Sequence, residues 1–163
     1  MKFTSRSFAA GLLLVAAGCS GAATRVTEVT PVAFGDPSGI VTTVTLSAGT
    51  FTAGQGTLTV HVRSVNPTSL PIRLPFTDGC FQTFVVFAGS QEIGGPELAC
   101  LQFVSTRTLG PGEALEQAIP WDGHVFYERG DYALPPGDYR LVGQVNTTGP
   151  PRSDPVALQI VAP

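Results

Sequence analysis

Lysine is all but missing from this chain: Lys2 is the only one, and past residue 18 seven arginines stand against all twelve acidic residues. No basic stripe is left to track a phosphate backbone, which argues against nucleic acid as a partner. Histidine occurs only twice. It is the commonest general base and metal ligand, so hydrolase and zinc chemistry have little to work with. There is no Gly-x-Ser-x-Gly elbow, His-x-x-x-His pair, EF-hand loop, Cys-x-x-Cys dithiol or phosphate-cradling glycine loop. The reading is of a non-enzyme, with no catalytic residue, no metal site and no cofactor. Also missing are the roughly 20 consecutive apolar residues that span a bilayer, and any clear helical periodicity.

What is present begins at the amino terminus. Met1 to Ser7 is short, polar and positive through Lys2 and Arg6, and Phe8 to Ala17 is an apolar run. That run falls within the roughly 7–15 residues of a secretory h-region, so residues 1–18 read as a signal peptide. The small residues of Val15-Ala16-Ala17-Gly18-Cys19 resemble the lipobox of bacterial lipoproteins, with Ala16 where leucine is most frequent. The resemblance implies a diacylglyceryl group on the Cys19 sulfur, cleavage after Gly18, acylation of the freed amine, and anchoring to the membrane of the cell envelope. One acyl chain binds only marginally, and two or three make a stable anchor. Ser20 follows the cysteine in place of aspartate, which in Gram-negative lipoproteins is compatible with outer-membrane delivery. The alternative is an ordinary secretory signal cut near Ala16-Ala17-Gly18 or Gly21-Ala22-Ala23, with Cys19 incidental.

With Cys19 committed to lipid, Cys80 and Cys100 remain in an oxidising compartment and are expected to form a disulfide. The alternatives are two free thiols or a two-cysteine metal site. They lack a reducing compartment or companion ligands.

Residues 19–25 read as the lipidated cysteine and a short polar tether, and 26–163 as one folded domain beginning near Val26. Its pattern is apolar and polar residues in alternation, in short runs broken by Gly, Pro, Asn and Asp. Thr57 to Val65 is the clearest strand, with Leu58, Val60 and Val62 on one face and Thr59, His61 and Arg63 on the other. Comparable runs cover 40–47, 70–76, 83–88, 101–106, 113–119, 139–146 and 155–161. The expected fold is all-β, an immunoglobulin-like antiparallel β-sandwich of about 7–8 strands, with a closed antiparallel barrel as the alternative.

From Leu58 to Val145 several motifs follow one another in a particular order. They are the strand with Val60 and Val62 running into Asn66, then Leu74-Pro75-Phe76-Thr77-Asp78-Gly79-Cys80, and then Phe84-Val85-Val86. Leu109-Gly110-Pro111-Gly112-Glu113, the Trp121 segment and Leu134-Pro135-Pro136-Gly137-Asp138-Tyr139-Arg140-Leu141-Val142-Gly143 complete the series. In order and spacing this stretch resembles the intracellular proteinase inhibitor (BsuPI-type) family. The resemblance implies the sandwich fold and, by the family's name, protease inhibition. The resembling residues themselves are turn formers and core positions, and none maps as a reactive site.

Two histidines and two loops remain as candidates. His61 stands mid-strand on the polar face. His124 lies in Trp121-Asp122-Gly123-His124, with Glu128 and Asp131 close in sequence, and reads as part of a polar loop rather than a cation site. Binding is expected from Gly89 to Ala99, through Gly89, Gln91, Glu92 and Glu97, and from the aromatic loop of Trp121 and Tyr127. A lone Trp in a sandwich is also an ordinary core residue. The sequence thus describes an exported, lipid-anchored envelope protein whose sandwich acts as a protein-binding module. Proteinase inhibition of the BsuPI-like kind is the alternative.

Overall fold

A computed structural model describes residues 33, 35–52, 54–127, 130–149 and 151–163, all within the unit Val32–Pro163. The signal segment 1–18, Cys19, the tether and the expected start at Val26 lie outside the described residues, as does Glu128.

Strand-forming runs of β-branched and aromatic residues, separated by Gly and Pro turns, give twelve strands among the described residues. They are β1 (Val41–Leu46), β2 (Thr50–Thr52), β3 (Leu58–Val65), β4 (Ile72–Phe76), β5 (Gln82–Ala88) and β6 (Gln91–Gly94). β7 (Ser105–Leu109), β8 (Ala114–Trp121), β9 (His124–Tyr127), β10 (Gly130–Ala133), β11 (Gly137–Val145) and β12 (Val156–Val161) follow. One sheet has the order β1-β3-β8, and the other β2-β12-β11-β5-β6, with β2 parallel to β12. β4 pairs with β7, and β9 with β10, as separate two-stranded ribbons. The sheets stay open, so the chain is an all-β sandwich and the closed barrel is set aside.

Two differences from the sequence pattern have physical causes. β2, β6, β9 and β10 are three or four residues long, too short for alternation to register. The run 101–106 alternates like a strand, but ladder pairing starts only at Ser105, where β7 meets Phe76 of β4.

The two large sheets meet across a core of Val44, Leu58, Val60, Val62, Ile119 and Trp121 on one side and Phe84, Val86, Tyr139, Leu141, Leu158 and Ile160 on the other. Gly143 makes the approach close: a Cβ there would lie 3.1 Å from Val62 Cγ1 and 3.2 Å from Val44 Cβ. Next along the strands comes a polar belt. Gln82 Nε2 donates to Ser64 Oγ at 2.8 Å, and Ser64 Oγ lies 3.0 Å from Thr42 Oγ1, all three residues being buried. Buried polar groups that satisfy one another in this way cost the fold little. Beyond the belt lies a second core of Ile40, Ile72, Leu74, Phe76, Leu109, Leu115 and Val145, which the β4–β7 ribbon caps. Among the described residues, both cores draw on positions from Ile40 onward.

Asn66 turns the β3–β8 ladder into the β4–β7 ribbon. Its fully buried carboxamide donates to the carbonyls of Leu70 (2.8 Å), Leu109 (2.9 Å) and Gly110 (3.2 Å), and accepts from the backbone N–H (3.0 Å) and hydroxyl (2.7 Å) of Thr68. Tyr139, at the start of β11, donates its hydroxyl to the Pro135 carbonyl at 2.8 Å, a tyrosine corner of the kind found in Greek-key sandwiches. Burial, with a smaller contribution from the Tyr132 phenol, pushes the Tyr139 hydroxyl above its ordinary pKa, which keeps it a donor. The expected disulfide is present: Cys80 and Cys100 are bonded, with Cα atoms 5.3 Å apart.

Two stability measurements test this account. Asn66→Ala leaves buried carbonyls without donors and is expected to cost about 3 kcal/mol by urea unfolding. Replacing Cys80 and Cys100 together by serine reopens the loop between them and is expected to cost about 3 kcal/mol in the same assay.

Candidate binding cleft

At the Leu58–Trp121 end of the three-stranded sheet, opposite the end where β1 begins beside Val65, the surface opens into a cleft of about 550 Å³. Thr57, Pro96, Glu97, Pro120, Trp121, Asp122, His124 and Asp131 line it. Among the described lining residues three are carboxylates and none is Arg or Lys, which favours a cationic guest.

The floor is set by Trp121. Its ring is buried against Phe84, edge to face at 5.4 Å between centroids, and near Phe51 at 6.5 Å. The indole N–H donates to the His124 carbonyl and ties the floor to the start of β9. Between them, Asp122 Oδ1 accepts the His124 backbone N–H at 3.1 Å. The same oxygen lies 3.1 Å from His124 Nδ1, a pairing that carries charge attraction when the imidazole is protonated. Burial pushes the Asp122 carboxyl upward, but the His124 N–H groups and imidazole charge outweigh it and hold the carboxyl below its ordinary value of 3.8.

The flank is the β9–β10 hairpin, which sends Val125 into the main core, as Leu134 does just after it. The hairpin docks on β6 through the Tyr132 hydroxyl, which donates to the Ile93 carbonyl at 3.0 Å, and through Gly95, whose carbonyl accepts the Phe126 N–H at 2.8 Å. Only glycine fits at Gly95, since a Cβ would fall 2.6 Å from the Phe84 carbonyl oxygen. Pro96 and Glu97 then leave the β6 edge and form the far wall.

The structure therefore brings Glu97 of one expected binding loop together with Trp121, Asp122 and His124 of the other. It leaves Gly89, Gln91 and Glu92 elsewhere. Gly89 forms the turn between β5 and β6, its carbonyl held by Arg140. Gln91 and Glu92 belong to β6, where Glu92 faces Arg152 at 3.4 Å. The Tyr127 side chain lies outside the described residues. His61 is exposed on β3, on the polar face where alternation puts it. Pro96 and Pro120 were not singled out in the sequence, because their meeting in the cleft wall depends on the docking of β6 against the β9–β10 hairpin.

Among the described residues, the one group of three ligand atoms mutually within 4.8 Å is Asp78, Cys80 and Cys100, and both sulfurs belong to the disulfide. Asp122, His124 and Asp131 share a cleft but do not converge in that way.

No family model and no curated protein matches the chain. Among solved structures it is similar to a β-glucosidase from Erythrobacter marinus, at 12% identity and a TM-score of 0.43 over 75% of this chain and 15% of that one. It is also similar to a Bifidobacterium adolescentis GH3 β-glucosidase, at 14% identity and a TM-score of 0.42 over 74% of this chain and 17% of that one. A Listeria innocua β-glucosidase in complex with glucose gives 12% identity and a TM-score of 0.40 over 74% and 16%. The chain thus spans about one sixth of the length of these enzymes, and the likenesses carry no inference about chemistry here.

Asp122 supplies a pH test. A carboxyl held low in the fold contributes stability in full above 3.8, and that contribution is lost as pH falls through its folded value. Carbon-detected NMR is expected to show Asp122 titrating below 3.8, and the Asp122→Asn variant is expected to lack this step.

Proposed function

We propose that the chain is a lipid-anchored cell-envelope protein whose β-sandwich binds a protein partner through the acidic cleft at its Trp121 end. One observation carries the reading: two segments far apart in sequence, around Glu97 and around Trp121 to Asp131, converge on a single cleft with three carboxylates and an aromatic floor. Loops and strand ends held on a rigid two-sheet base are where sandwiches present binding groups. The anchor is supported by the lipobox-like Val15 to Cys19, and a disulfide between Cys80 and Cys100 suits an oxidising compartment. An immunoglobulin-like assignment of the sandwich is supported by the Tyr139 corner, with the parallel β2–β12 pair as a departure from the expected antiparallel order. No residue of the cleft is assigned a catalytic role.

The guest that suits this lining is a cationic segment of an envelope protein, with Arg or Lys side chains entering between Glu97 and Asp131. Attraction of this kind speeds association and is screened by salt.

The test is a pull-down from crosslinked envelopes with the native chain and with the Glu97→Arg, Asp131→Arg double variant. The native chain is expected to retain one reproducible partner, about tenfold less of it at high salt, and the double variant none. A partner retained equally by both proteins removes the cleft from the reading. Stoichiometric slowing of a protease by the purified chain would instead assign the inhibition that the BsuPI-type resemblance implies.

A further inference from the structure

Seven large apolar side chains are conspicuously exposed among the described residues, and three of them fall within four consecutive positions: Leu101 at 75%, Phe103 at 43% and Val104 at 85%. Scattered exposed apolar residues need no explanation, but a contiguous group marks a surface that meets something. This group belongs to no strand. It is nevertheless held in place: Cys100 is bonded to Cys80, the Gly79 N–H donates to the Leu101 carbonyl at 2.8 Å, and the Phe103 ring edge lies over Gly79.

Its position in the fold limits what it can meet. The segment leads directly into β7, and the β4–β7 ribbon caps the second core with Ile40, Leu115 and Val145, at the end of the sandwich where β1 begins. Gly35 belongs to that end too, its N–H donating to the Pro71 carbonyl beside β4. Two more of the exposed apolar residues, Val41 and Leu70, belong to the same end: Val41 pairs with Val65, and the Leu70 carbonyl is bound by Asn66. Gly35 lies sixteen positions after Cys19, a reach of at most about 55 Å. No acidic residue occurs between Glu97 and Glu113, and Arg107 follows three residues after Val104; the carboxylate beside the disulfide, Asp78, accepts from the Cys80 N–H and the Asn146 amide.

We propose that Leu101, Phe103 and Val104 form an interfacial tip that inserts into the outer edge of the lipid layer in which the Cys19 anchor sits. This rests on the anchored reading above and adds an orientation to it: the apolar tip faces lipid, and the acidic cleft at the opposite end faces away. The tether holds the tip close to the surface, so three side chains suffice where they would be too weak to recruit a free protein. An apolar group lying at the headgroup boundary, with an arginine a few residues on, is the arrangement by which peripheral proteins settle on anionic bilayers.

The test separates the tip from the anchor. The chain from Cys19 onward is coupled through its one free thiol to a maleimide-headgroup lipid, in vesicles of phosphatidylethanolamine with a minor fraction of phosphatidylglycerol and brominated acyl chains. Attachment then does not depend on lipidation in the cell, which mass spectrometry of the native amino-terminal peptide checks by itself. Val104→Trp places a reporter at the tip, and Gln55→Trp places one in the exposed turn before β3 at the other end. Both are read against the native chain, in which Trp121 is buried. Val104→Trp is expected to lose roughly half of its added emission to the bromolipid, and Gln55→Trp none. Equal quenching of the two reporters, or none at Val104→Trp, overturns the proposal. So does emission at Val104→Trp that ignores lipid but shifts with an envelope protein fraction, which would give the tip to a protein.

Discussion

The carboxamide of Asn66 is where the two-sheet sandwich becomes something more than two sheets. Its amide nitrogen gathers the carbonyls of Leu70, Leu109 and Gly110, and its oxygen takes both donors of Thr68, so two chain reversals distant in sequence share one buried group. The backbone adds to this, with Asn66 exchanging bonds with Glu113 and Gly112. A hydrophobic side chain there would leave the carbonyls to be desolvated without partners, which costs more than the bonds themselves are worth. Because the ladder turns at this point, the β4–β7 ribbon folds over the end of the sandwich rather than extending it. The second core, the disulfide and the exposed apolar tip all follow from that fold-over.

The polar belt between the two cores explains why they stay distinct. Along β1 the inward residues run Thr42 then Val44, along β3 Val62 then Ser64, and along β5 Gln82 then Phe84. Each strand thus changes from apolar to hydrogen-bonding at the same level. Gly143 sits at that level too, and its lack of a side chain lets β11 approach Val44 and Val62. Its N–H is bound by the hydroxyl of Ser153, from the segment leading to β12. The belt fixes the relative register of the sheets, since slipping one against the other would bury Gln82 or Ser64 against apolar neighbours.

The long strands were legible in the sequence because their inward faces are simple. Leu58, Val60 and Val62, or Leu158 and Ile160, alternate with solvent-facing residues, and period-2 reading finds them. Ser64 and Gln82 are buried yet polar, so no hydropathy pattern announces them. The segment 101–104 misled for the opposite reason: its alternation is real, but its apolar side chains face outward and its backbone has no neighbouring strand. For the cleft, the sequence singled out Glu97, Trp121 and the Asp122–His124 group separately. Their convergence depends on Gly95 meeting Phe126 and on Tyr132 reaching Ile93, long-range contacts between elements of four residues each. Trp121 was open between core and interface, and it is buried in the core while its neighbours present the charge.

The strap from Pro96 to Val104 links the two proposed surfaces, and its construction shows why a covalent bond is placed there. One end supplies Glu97 to the cleft, and the other carries the apolar tip. Between β6 and β7 it has no strand pairing of its own, and Leu98 is its contribution to the main core. A segment so weakly held by backbone hydrogen bonds would sample many conformations, and each added conformation would dilute both the charge at one end and the apolar group at the other. The Cys80–Cys100 bond pins it near its middle to the residues that follow β4, where Asp78 in turn accepts from the Cys80 N–H and from the Asn146 amide. The bridge therefore orders a surface segment that the cores leave loose, and it joins that segment to the Asn66 fold-over through the same β4–β7 ribbon.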